Sequence, residues 1–203
     1  MTLFEKNCNL FAEGRNRMEI IEALKRFSPC NEQETADKRN LLNYLEQFPD
    51  VFYRENEAMH MTASAWVVNP DRSRVLMAYH NIYDSWSWLG GHADGNQNLL
   101  EVAVREVREE SGIREVHPVS KEIYSVEILT VDGHWKRGKY VSSHLHLNVT
   151  YLLEADDRQA LAVKPDENSG VQWFPLEKAP EASSEIWFRE HIYKKLNEKL
   201  RRG

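Results

Sequence analysis

The chain has 203 residues, 41% of them hydrophobic, a formal charge of −6 and only two cysteines. That length holds one substantial core beside a small accessory region, the acidic balance excludes the phosphate-neutralising footprint of a nucleic-acid or anionic-membrane binder, and Cys8 and Cys30 make neither a disulfide framework nor a thiolate metal cage. No apolar run approaches the roughly 20 residues of a membrane span and the opening "MTLFEKNCNLFAEGRNRME" lacks the layout of a secretory leader, so the expectation is a cytoplasmic protein with a small-molecule ligand.

In chain order, residues 15–27 and 32–48 repeat apolar side chains at helical spacing, with Ile20, Ile21 and Leu24 in the first stretch and Leu41, Leu42 and Leu45 in the second. "FSPCN" breaks them apart. Residues 1–58 are expected to be a helical hairpin appended to a main domain at 59–203, as a cap over a substrate pocket or as a homodimer contact. "HMTASAWVVNPDRSRVLMAYHN" then gives two β-rich runs around an Asn-Pro-Asp-Arg-Ser turn, which reads as a hairpin.

A carboxylate-rich helix follows over residues 99–111. Asn98 is placed to cap it, Glu101 lies three residues on as in a capping box, and Gly112 ends it. Leu100, Ala103, Val104 and Val107 form an apolar sector at 100° per residue. Glu106, Glu109 and Glu110 form the next, at i, i+3 and i+4, and Glu101, Arg105 and Arg108 the third. Three acids on one face repel one another, at the helix end whose dipole disfavours negative charge. A hard divalent cation such as Mg²⁺ or Mn²⁺ would reverse that sign, since it takes oxygen ligands from carboxylates, phosphates and water. The plainer alternative is a solvated face with an Arg105 to Glu109 ion pair.

Beyond the helix, "EIYSVEILTV" and "SSHLHLNVTYLLEA" read as strands around the basic "DGHWKRGKY", followed by the loop "KPDENSG", a short strand "VQWFPL" and an amphipathic helix over 184–200. The alternation lacks regular βαβ units. An α/β fold with a mixed sheet and helices on both sides is expected.

Residues 91–113 carry a specific pattern: Gly91, five residues, position 97, seven residues, then Arg105-Glu106-Val107-Arg108-Glu109-Glu110-Ser111-Gly112-Ile113. This resembles the signature box of the Nudix hydrolases at every position but one. The resemblance implies that family's α/β/α sandwich with mixed β-sheet over 59–203, with the N-terminal helical extension added to it. It also implies divalent-metal-dependent hydrolysis of a diphosphate linkage in a nucleoside-diphosphate-type molecule. Carried over by position, Arg105, Glu106, Glu109 and Glu110 are the catalytic set, with Glu106, Glu109 and Glu110 on the metal, Arg105 holding Glu109, and Gly91 and Gly112 supplying turns. Gly91 lies beside the substrate in this reading. Glu167 falls where many members keep a further acid that reaches the metal from a loop.

The departure is Gln97, where the box has its first glutamate. An amide keeps a carbonyl oxygen but loses the charge and any role as a base. The change reads either as a tolerated replacement at the edge of the site or as a change in metal count or activity, and Asp94 is placed to supply a compensating carboxylate. A non-catalytic nucleotide sensor on the same fold is the rival reading.

Four histidines form a second group. His144 and His146, at i and i+2, leave one face of a strand; His92 follows the glycine pair and His60 opens the first strand. Their placing is similar to the metal site of isopentenyl-diphosphate isomerase, which implies a second, imidazole-bound ion such as Zn²⁺ or Mn²⁺. Gly90 stands where that enzyme has its reactive cysteine, which argues against isomerase chemistry. Trp86 and Trp88, with Tyr83, Trp135 and Trp173, are candidates to stack on a base, and Lys136, Arg137 and Lys139 to meet phosphates.

Overall fold

The computed structural model describes residues 17–136, 138–165 and 167–202. Cys8, Arg137 and residues 15–16 lie outside them. The chain is helical over 17–26 (α1) and Glu32–Gln47 (α2), followed by β1 (Met59–Val68), β2 (Arg74–His80), β3 (Ser85–Ser87), β4 (Leu89–His92), α3 (Leu99–Ser111), β5 (Val116–Pro118), β6 (Ser125–Val131), β7 (His134–Lys136), β8 (Lys139–Val141), β9 (His144–Ala155) and β10 (Asn168–Pro175). A short α4 (Ala179–Ala182), a π-helical turn (Phe188–Tyr193) and α5 (Lys194–Arg202) close it. The strands form a mixed sheet in the order β10-β2-β1-β9-β5, with β3 on β2, β4 on β1 and β6 on β9, while β7 and β8 pair separately. This is the α/β class that the sequence predicts.

By its contacts the chain divides into two compact units, one of Met1–Ala63, His92–Val102 and Val126–Val149, the other of Ser64–Gly91, Ala103–Ser125 and Thr150–Gly203. In the first, Leu24 of α1 and Leu41 and Leu45 of α2 are all closed to solvent, and Lys38 of α2 donates to Lys25 O of α1 at 2.9 Å. Asn31 caps α2 by accepting from Glu34 N at 2.8 Å. One polar edge of α2 is spent on β6: Gln33 donates to Val126 O at 2.9 Å and Asp37 accepts from Ile128 N at 3.0 Å.

In the second unit, β1 and β2 form the expected hairpin, with Val67 opposite Leu76, and β10 lies antiparallel on β2 with Trp173 opposite Leu76. β5 pairs with the end of β9, Val116 opposite Ala155. Ser64 through Val68 are all buried, so this part of β1 is covered on both faces and shows no alternation. Trp66 stacks on Tyr193 with ring centroids 5.4 Å apart, and the Trp88 N–H donates to the Tyr193 hydroxyl at 3.3 Å.

The sequence differs from the structure at the closing helix. Regular helical geometry begins at residue 186 rather than 184, and the Ser184 N–H donates to Ser85 Oγ at 3.0 Å. The π turn then turns both Ile192 and Tyr193 inward, and neither is exposed. The basic segment between β6 and β9 contains a two-stranded ribbon, with Trp135 opposite Tyr140.

Candidate functional site

Helix α3 has the predicted bounds, the Asn98 cap and the closing Gly112, but not the return bond from Glu101. Asn98 Oδ1 accepts from Glu101 N at 3.2 Å, while Asn96 rather than Glu101 satisfies the Asn98 N–H, at 2.9 Å. Gly112 takes a φ of 73°, which suits glycine, and its N–H closes the helix on Arg108 O at 3.0 Å. The buried stripe, however, differs from the predicted one. Leu99, Val102, Ala103 and Val107 are buried, whereas Leu100 and Val104 are half-buried. The stripe therefore continues through Glu106 and Glu110, both buried, and leaves Glu109 exposed. The apolar sector read from the sequence leaves these carboxylates out, whereas the fold takes two of them inward.

Each buried acid has a fixed setting. The Glu106 carboxylate lies directly over Gly91: a Cβ at that position would come 2.5 Å from Glu106 Cδ. Arg105 Nη2 donates to Glu106 Oε1 at 2.7 Å, and its contact with Glu109 is longer, 3.8 Å. Arg105 thus serves Glu106 first, the less hydrated of the two acids. Burial pushes the Glu106 carboxyl above its usual range against the pull of that guanidinium. Glu110 is held at both oxygens, by the Asn168 amide at 3.1 Å and the Gly90 N–H at 2.9 Å, yet burial still raises it to about 7. Glu106 adds to that rise by like-charge repulsion.

The loop before β10 brings further groups. Lys164 lies 2.8 Å from Glu167 and 3.6 Å from Glu109, so one ammonium bridges the loop acid and the helix acid. Those carboxylates hold its ammonium form to higher pH than usual, the Glu167 hydrogen bond contributing most. Asn168 is 1% exposed, and its Oδ1 meets no hydrogen-bond partner. Neither Lys164 nor Asn168 has a local signal in the sequence. Their spacing from α3 is long, and only the Lys164 to Glu167 separation of one helical turn hints at an ion pair.

This donor set fits a hard divalent cation. It offers carboxylate oxygens whose mutual repulsion is only partly offset by Arg105 and Lys164, and beside Glu110 a buried amide with an unused carbonyl oxygen. Glu106, Glu109 and Glu110 are the residues able to hold such an ion.

Other predicted residues have these settings. Trp88 is buried, its ring edge-on to Phe188 and Tyr193. Trp86 is half-buried, edge-on to Phe174 at 4.9 Å. Trp173 is buried, while Tyr83 and Trp135 are exposed. In the first unit, Gln97 is buried and its Oε1 has no hydrogen-bond partner, while Asp94 is held by the Arg54 guanidinium. The same unit brings His60, His92 and His146 together, with one ring nitrogen of each within 4.8 Å of the others, and His144 beside them.

The model of the NUDIX domain matches residues 58–196. The mouse asymmetrical bis(5′-nucleosyl)-tetraphosphatase is 29% identical over 106 residues, which are 52% of this chain and 65% of that protein. The chain thus spans about two thirds of the length of that relative. Among solved structures, the Nudix hydrolase RenU of M. smegmatis superposes with a TM-score of 0.50 at 13% identity, over 70% of this chain and 86% of that one. A C. elegans Ap4A hydrolase gives 0.47 at 15% identity, over 70% and 95%. Among the described residues, no helix is long and apolar enough to cross a membrane.

Proposed function

The chain belongs to the Nudix hydrolase family, and we propose that it hydrolyses a diphosphate linkage in a small nucleoside-diphosphate-type molecule with Mg²⁺ or Mn²⁺ held by Glu106, Glu109 and Glu110. The observation that carries this reading is the burial of Glu106 and Glu110 on one helix with Glu109 beside them. Burying two carboxylates four residues apart is unfavourable unless a cation compensates them. Arg105 and Lys164 supply part of that charge and leave room for more.

The chain's own groups divide the work. Gly91 lets the Glu106 carboxylate approach the backbone, and Arg105 and Asn168 orient Glu106 and Glu110. A divalent ion held there by Glu106, Glu109 and Glu110 would offset phosphate charge and lower the pKa of a water, so that it loses its proton more readily as its oxygen attacks phosphorus. In the reaction, water oxygen bonds to phosphorus, the bridging P–O bond breaks, and the proton of the water passes to one of the three carboxylates. Glu167, paired with Lys164, is placed to join this site when Lys164 turns to a substrate phosphate. Trp86 is the better placed of the two tryptophans to meet a base, being the less buried.

A panel of nucleotide sugars, nucleoside triphosphates, ADP-ribose and dinucleoside polyphosphates, incubated with Mg²⁺ or Mn²⁺ and read by product mass, tests the reading. The relative's name, a bis(5′-nucleosyl)-tetraphosphatase, is the reason dinucleoside polyphosphates belong in it. Cleavage at a phosphoanhydride, abolished in Glu109→Gln, is expected. Tight binding of these compounds without turnover, in the native chain and in Gln97→Glu, would overturn it in favour of a nucleotide sensor.

A further inference from the structure

The carboxylate site leaves the four histidines of the first unit unexplained. His60 stands near the start of β1, His92 ends β4, and His144 and His146 share one face at the start of β9. The His60 ring centroid is 5.0, 4.8 and 5.1 Å from those of His92, His144 and His146. His92 to His146 is 4.8 Å and His144 to His146 is 5.0 Å. His60 and His146 thus each lie against the other three imidazoles, and the four come from three strands.

Their hydrogen bonds set which nitrogen is bare. His60 Nδ1 lies 3.1 Å from Asn56 O, and His144 Nδ1 lies 2.8 Å from Ser142 O. A carbonyl oxygen only accepts, so each Nδ1 carries a hydrogen and Nε2 is the nitrogen left to present a lone pair. His60 is 5% exposed and its Nε2 meets no hydrogen-bond partner. Carbonyl contacts on the far ring nitrogen are what fix metal-binding histidines.

The unpaired Nε2 of buried His60 separates a metal site from an anion site: with its Nδ1 spent on Asn56 O, it offers a lone pair, which a metal ion takes and a phosphate oxygen does not. All-imidazole donors select late first-row divalent ions over Mg²⁺ or Ca²⁺. Four nitrogens around Zn²⁺ at about 2.0–2.1 Å stand roughly 3.3 Å apart, and His144 Nε2 to His146 Nε2 is already 3.2 Å. The separations among His60, His92 and His146, up to 4.8 Å, close by small rotations of the rings.

We propose that His60, His92, His144 and His146 bind one divalent transition-metal ion, Zn²⁺ by the chemistry of the donor set, at a site independent of the glutamates and of the proposed hydrolysis. The ion fastens the start of β1, the end of β4 and the start of β9. Because the unfolded chain lacks the arrangement, binding stabilises the fold.

The test uses the whole, tag-free chain stripped of metal and titrated with Zn²⁺ and with Co²⁺. One equivalent of each is expected, with visible Co²⁺ absorption of a four-coordinate site, a higher thermal midpoint with Zn²⁺, and no displacement by millimolar Mg²⁺. The double variant His60→Gln/His146→Gln loses the equivalent and Glu106→Gln/Glu109→Gln keeps it. X-ray absorption at the zinc edge of the native chain, counting four nitrogens at about 2.0 Å, decides the matter if the histidine variant does not fold. Substoichiometric binding by the native chain, retention in the histidine variant, loss in the glutamate variant, or oxygen and sulfur ligands at the zinc edge would each overturn the site.

Discussion

The Glu106 carboxylate occupies the space that a side chain at Gly91 would need: a Cβ there would fall 2.5 Å from Glu106 Cδ and 2.7 Å from Oε2. The glycine is required for close approach, since its backbone angles are not in the left-handed region. Gly91→Ala is therefore expected to push the carboxylate off its position. Turnover should fall about 10–100-fold, the scale of disturbing an oriented metal ligand, with a small change in thermal midpoint. Steady-state kinetics and melting curves of the variant check both.

Asn168 donates to Glu110 Oε1 at 3.1 Å from a fully buried position. Asn168→Leu keeps the volume but removes the donor, leaving a buried carboxylate one hydrogen bond short. Divalent-ion affinity and kcat should both fall by about 10-fold or more. An unchanged Mn²⁺ affinity would show that Glu110 faces away from the ion.

Lys164 places its charge 3.6 Å from Glu109, where it competes with a bound cation and can also attract substrate phosphates. Lys164→Met should tighten Mg²⁺ binding while raising KM, a split that a purely structural lysine would not produce. Metal titration and substrate saturation curves on one preparation separate the two effects.

Gln97 is buried with an unpaired Oε1, so a carboxylate at this position in the metal-free chain would be desolvated without a donor for that oxygen. Gln97→Glu is expected to cost about 1–3 kcal/mol of stability in the presence of a chelator. Denaturant midpoints, compared at constant slope, measure it.

Much of this was legible in the sequence because it is local. The Asn98 cap, Gly112 at its positive φ and the turn between β1 and β2 are short-range chemistry, and the structure repeats them. The family assignment was legible too, from the spacing of Gly91, Arg105 and the three glutamates. The orientation of α3 was not. A periodicity argument assigns carboxylates to solvent, so it chose Leu100 and Val104 over Glu106 and Glu110 for the buried stripe. Asn168 and the reach of Lys164 to α3 are not legible because Glu110 and Glu109 lie more than 50 residues from them and follow no periodic rule. The Arg105 to Glu109 ion pair is present at 3.8 Å as helical spacing predicts, whereas the shorter contact to Glu106, at 2.7 Å, follows from burial, which periodicity does not show.

The account depends on the three helix glutamates acting through a divalent cation. Mn²⁺ binding and turnover of the best substrate, measured together on the native chain and on Glu106→Gln/Glu109→Gln, test that most directly. The account predicts that the native chain loses turnover in a chelator and regains it with added Mg²⁺ or Mn²⁺ as the ion saturates. It also predicts that the double variant folds but neither binds the ion nor turns over. Undiminished hydrolysis in the chelator, or in the double variant, would contradict it.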